Sequence, residues 1–124
     1  MKPKLIFVID DDDDVRAALR LILEDAGYRT DGAADGHQAL ELLRNLPEPP
    51  ALILLDLMMP RMSGSEFREA QLRDSTLSRV PVVILSADTE PEVRAQALRV
   101  AVSLRKPLDI ETLLDAVDSF ATAP

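Results

Sequence analysis

The chain has 124 residues, 47% of them hydrophobic and 29% charged, which suits one core and leaves no room for a second independent module. A net charge of −8 argues against direct nucleic-acid binding, since phosphate backbones are held through clustered Lys and Arg, and the lack of cysteine excludes disulfides and thiolate metal sites. The apolar segment near the N-terminus, Leu5 to Ile9, is far short of a signal-peptide core or a membrane span, so a cytoplasmic location with no membrane partner is expected.

Leu5 to Ile9 reads as a buried first strand that runs into five consecutive aspartates, Asp10 to Asp14. Val15, Leu19, Ile22, Leu23 and Ala26 then recur at helical spacing, and Gly27 supplies the stop. Asp12 to Asp14 should lie on the first turn of that helix, where the macrodipole favours negative charge. Tyr28 to Asp31 is a weak second strand. Ala34-Asp35-Gly36 is a turn that opens a helix with Ala39, Leu40, Leu43 and Leu46 on one side, ended by Pro47, Pro49 and Pro50.

Ala51 to Leu55 is an unbroken apolar run that ends in Asp56, with Pro60 and Gly64 beyond, as in a strand buried on both faces that stops where its loop begins. After Gly64 a helix is expected through Phe67 and Ala70 to about Arg73. A polar connection, Asp74 to Arg79, leads to a fourth strand, Val80 to Leu85. Thr89 and Glu92 have capping-box spacing, so a fourth helix should run to about Leu98 or Arg99. Val100 to Leu104 is the fifth strand. Asp109 caps a last helix whose apolar stripe is Ile110, Leu113, Leu114, Val117 and Ala121. Strands alternating with helices in units of about 25 residues describe an α/β domain with a parallel sheet and helices on both faces.

In such a sheet the site forms outside the carboxyl ends of the strands. Those ends carry Asp10 and Asp11, Asp56, Ser86 and Lys106. A single acid at a strand end is commonly a turn former or helix cap. Three acids converging on one edge repel one another unless a divalent cation lies between them. All-oxygen ligands suit Mg²⁺, which takes one or two carboxylates and also binds phosphoryl groups. The chemistry this allows is phosphoryl transfer onto Asp56 as nucleophile, with Lys106 and Ser86 stabilising the equatorial oxygens.

The segments IDDDDDVR, LLDLMMPRMSG, VPVVILSA and LRKPL, in this order and spacing, resemble the CheY-like receiver domain of two-component response regulators over nearly the whole chain, residues 1–124. The resemblance implies a flavodoxin-like, doubly wound fold with strand order 2-1-3-4-5. It implies that Asp56 is the phosphoacceptor, that Asp11 binds Mg²⁺ directly and Asp10 through water or a second contact, and that the Met58 carbonyl completes the protein's share of the shell. Ser86 would follow the phosphoryl group as the switch closes and Lys106 would pair with it, with a cis bond to Pro107. The implied donor is a sensor histidine kinase or histidine phosphotransfer protein. The implied output surface is the fourth helix, fifth strand and fifth helix, read by another protein. With no room for an output domain, the expectation is signalling by protein contact, or a chain cut from something longer.

Two positions depart from the pattern. Ser103 stands where receivers commonly carry Tyr or Phe, and Arg99 where many have Gly. His37, the single histidine, is expected on an exposed helix face, and Met58, Met59 and Met62 are expected to fill gaps. Three rival readings remain: a receiver that binds partners without phosphorylation, a haloacid-dehalogenase-like phosphatase using Asp10 and Asp12, and a flavodoxin-like carrier. The carrier is opposed by the five aspartates and by an aromatic content of 3%.

Overall fold

The computed structural model describes residues 3–56, 62, 64–86, 102–105 and 109–121, with residues 65, 86 and 102–105 described by their backbone. In chain order the elements are β1 (Leu5–Ile9), α1 (Asp13–Asp25), β2 (Arg29–Ala33), α2 (Gly36–Arg44), β3 (Leu52–Asp56), α3 (Gly64–Arg73), β4 (Val82–Ser86), β5 (Val102–Arg105) and α4 (Ile110–Ala121). The expected helix from Thr89 to about Arg99 lies outside the described residues.

The strands form one parallel sheet in the order β2-β1-β3-β4-β5. Alternation along each strand sorts the core into two slabs. Phe7, Ile9, Ile53, Leu55, Val82 and Ile84 face α2 and α3, where Ala39, Leu40, Leu43 and Phe67 meet them. Ile6, Val8, Leu52, Leu54, Val83 and Leu85 face α1 and α4, where they meet Leu19, Leu23, Leu113, Val117 and Ala121. Because both faces are covered, β1 and β3 are apolar without alternating polar residues.

The helix ends follow local chemistry. The Asp12 carboxylate caps α1 by accepting from the amides of Asp14 and Val15 at 2.9 and 3.1 Å. Asp12 therefore precedes the first turn, and Asp13 and Asp14 occupy it. Gly27 closes the other end at φ 98°, a left-handed conformation that glycine adopts without strain. Asp35 caps α2 through the Gln38 amide at 2.9 Å, and Asp109 caps α4 through the Thr112 amide at 3.1 Å.

Three boundaries or faces differ from the sequence reading. β2 runs from Arg29 to Ala33, rather than Tyr28 to Asp31, because Ala33 pairs with Ile9. β4 starts at Val82, not Val80. The connection before it turns back on α3, burying Leu77 and Val80, and the buried Gln71 amide donates to their carbonyls at 2.8 and 3.1 Å. Gln71 in turn accepts from the buried Arg68 at 2.7 Å, whose guanidinium pKa is pulled down by burial. Ile110 lies on the same stripe but, in the opening turn, is 54% exposed, so α4 packs through Leu113, Val117 and Ala121.

Candidate functional site

The register of the sheet sets the site. Ile9 lies opposite Leu55, so Asp10 and Asp56 each come one residue later at neighbouring strand ends. Both share the alternation parity of the residues that face α1. Asp10 is fully buried and Asp56 is 5% exposed, whereas Asp11 is exposed. One carboxylate oxygen from each of Asp10, Asp11 and Asp56 lies within 4.8 Å of the others.

Asp10 is held at several points. Its amide donates to the Ala33 carbonyl at 3.2 Å. Its Oδ1 accepts from the Asp12 amide at 3.0 Å, and its carbonyl accepts from Arg16 Nη1 at 2.8 Å. These bonds shape the strand-to-helix turn that presents Asp10 and Asp11 toward the end of β3. Asp12 is engaged as a helix cap and is not one of the three clustered acids.

Two buried carboxylates at this spacing repel by about 3 kcal/mol at an effective dielectric of about 20. A hard divalent cation removes that repulsion, and the donor set fits one: oxygen ligands, two of the three acids buried, the third open to solvent.

Ser86 ends β4, one residue beyond Leu85, which lies opposite Asp56. Its backbone therefore reaches the same edge of the sheet. Met58, Lys106 and Pro107 lie outside the described residues, as does Arg99. Ser103 lies in β5, opposite Ile84. His37 is exposed on α2, as the sequence suggested.

Met62 is partly buried against the α2–α3 slab. Its side chain lies against Gly36, the first residue of α2, where an added Cβ would come 2.5 Å from Met62 Sδ. A glycine opening α2 thus accommodates a residue six positions beyond Asp56. Arg16 and this contact were both missed from sequence, since the motif around each gives no hint of the partner.

The family model described as the response regulator receiver domain matches residues 6–118. The chain belongs to the response regulator receiver family. As a CheY-like receiver domain of two-component systems it has close parallels among known proteins. It is 40% identical over 114 residues to the response regulator MprA of Mycobacterium sp. (strain KMS), an alignment that covers 90% of this chain and 48% of that relative. The receiver thus spans about half the length of such relatives. The crystal structure of Vibrio cholerae chemotaxis protein CheY4 superposes with a TM-score of 0.87 at 31% identity, covering 95% of this chain and 98% of that one. A response regulator receiver protein from Pseudomonas putida gives 0.86 at 27% identity, covering 96% and 98%. The flavodoxin-like fold and strand order inferred from sequence are those of the structure. No helix among the described residues of the receiver is long and apolar enough to cross a membrane.

Proposed function

We propose that this receiver is a phosphorylation-dependent switch whose acceptor is Asp56. The observation that carries the reading is the convergence of Asp10, Asp11 and Asp56 within 4.8 Å at the carboxyl edge of the sheet. In the proposed reaction an Asp56 oxygen attacks the phosphorus of a phosphohistidine on a sensor kinase or phosphotransfer protein. The new P–O bond forms as the P–N bond breaks, and the imidazole leaves with the electron pair and takes up a proton.

Asp11 and Asp56, with Asp10 directly or through water and the Met58 carbonyl, would hold Mg²⁺. When bound, the metal neutralises charge between the carboxylates and the incoming phosphoryl oxygens. Burial of Asp56 at the end of β3 keeps the nucleophile in one place. Lys106 supplies a compensating charge and Ser86 a hydroxyl, both assigned by family resemblance. The phosphorylated side chain carries a charge of about −1.5 to −2 and three acceptor oxygens, so it draws those groups inward. A downstream protein then reads the altered surface around β5 and its flanking helices.

The test is incubation with Mg²⁺ and a small acyl-phosphate donor, followed by intact-mass and peptide mass spectrometry. One phosphoryl group should appear on Asp56 and be lost in Asp56→Asn. Modification elsewhere, or none with fresh donor, would reject the assignment.

A further inference from the structure

Arg16 sits on the first turn of α1, yet its side chain is 20% exposed. Its stem passes along β2 beside Gly32, where an added Cβ would lie 3.2 Å from Arg16 Cδ and 2.9 Å from the Val8 carbonyl oxygen. The strand has a glycine where the arginine stem crosses it. At its far end the guanidinium divides its donors: Nη1 bonds the Asp10 carbonyl at 2.8 Å, and Nη2 bonds the Asp13 carboxylate. One planar group thereby ties the residue just after β1 to the opening turn of α1, and Asp11 lies between the two tied residues.

We propose that Arg16 is a positioning residue for the cation site, acting through Asp10 to fix the turn that presents Asp10 and Asp11 to Asp56. The inference rests on the reading of that cluster as the receiver's divalent-cation site. Two effects of opposite sign compete. A positive charge near a cation site weakens cation binding by repulsion, whereas a brace on the ligand-bearing turn strengthens it. The guanidinium reaches out to the exposed Asp13 carboxylate, where solvent screens its charge, whereas its bond to the Asp10 carbonyl is part-buried, so bracing is the larger effect. Removing the arginine should therefore weaken cation binding, the reverse of what charge repulsion alone would give.

The experiment compares the full chain with Arg16→Met and Arg16→Lys. The chain has no tryptophan to report binding, so unbound Mn²⁺ is counted by electron paramagnetic resonance. Phosphorylation by a small acyl phosphate is then followed as a function of Mg²⁺ concentration. Arg16→Met retains the apolar stem and loses every donor; its Mn²⁺ affinity should fall about tenfold, the lower end of the usual loss when a group supporting a metal ligand is removed. Arg16→Lys retains the charge but cannot bridge two acceptors as a planar fork does, and should lose about threefold. In both variants the phosphorylation rate at saturating Mg²⁺ should return to the wild-type value, because the defect lies in holding the cation.

Unchanged or tighter Mn²⁺ binding in Arg16→Met would overturn the proposal, as would a rate that stays low at saturating Mg²⁺. If circular dichroism shows that Arg16→Met does not fold, Arg16→Lys decides by the same two measurements. Wild-type protein that binds no Mn²⁺ would instead reject the underlying cation-site reading, and with it this role for Arg16.

Discussion

Tyr28, in the turn between α1 and β2, donates its phenolic hydroxyl to Asp118 of α4 across a separation of 90 residues. The bond links two parts of the chain that pack on the same face of the sheet. Burial and the adjacent carboxylate together push the phenol pKa from its ordinary value of 10.0 up to about 12. Tyr28 is the single tyrosine and there is no tryptophan, so ultraviolet absorbance reports it alone. The native protein should titrate near pH 12, and Asp118→Asn or unfolded protein closer to pH 10. Since the folded pKa is the higher one, the associated stability is fully present below about pH 10 and is lost as pH rises toward 12. A native midpoint near 10 would mean that the bond does not form in solution.

Asp10 and Asp56 bring two like charges to one buried edge of the sheet, and a divalent cation held there would relieve the repulsion between them. Asp56→Asn removes one of those charges, so the stability gained on adding Mg²⁺ in urea denaturation should be larger in the wild type than in the variant. In the wild type, Mg²⁺ should raise the unfolding midpoint, and chelation should reverse the gain. An equal Mg²⁺-dependent gain in Asp56→Asn would show that Asp56 takes no part in holding the cation.

Gln71 satisfies two backbone carbonyls and accepts from Arg68, all within a buried connection. Gln71→Ala removes the side-chain donor to the Leu77 and Val80 carbonyls and opens a void, and should cost about 2–4 kcal/mol with little effect on Mn²⁺ affinity. Chemical denaturation alongside the Mn²⁺ titration checks both parts.

At Gly36 the sign of a substitution should depend on Met62. Gly36→Ala gains about 0.5–1 kcal/mol of helix propensity but drives Cβ into the methionine, an overpacking that costs about 1–3 kcal/mol. Alone it should destabilise by about 1 kcal/mol; in a Met62→Ala background the penalty should fall to near zero. Equal effects in both backgrounds would show that the two residues are not coupled.

The sequence made the acid-bearing edge readable because the strands that carry it are buried on both faces. In such strands an unbroken run such as Leu52 to Leu55 marks both the element and its end, and Asp56 stands where the apolar residues stop. β2 was harder to delimit: its five residues are mostly half-exposed, so the pairing of Ala33 with Ile9, not composition, sets its extent. Val80 resembled strand by residue type, yet the Gln71 side chain claims its carbonyl before the sheet begins. Arg16 escaped notice for a different reason. Its partner is a backbone carbonyl six residues earlier, a group every residue possesses, so no choice of amino acid signals the bond.

Asp10 and Asp56 follow β1 and β3, and each of these strands has a hydrogen-bonded neighbour on both sides. Neither can be displaced without breaking two ladders, and amides of such interior strands commonly exchange among the slowest in a protein. The acids therefore behave as the fixed jaw of a vice. In the proposed switch, a phosphoryl group on Asp56 would meet an unyielding surface from below, so its charge and bulk would have to be accommodated away from the strands.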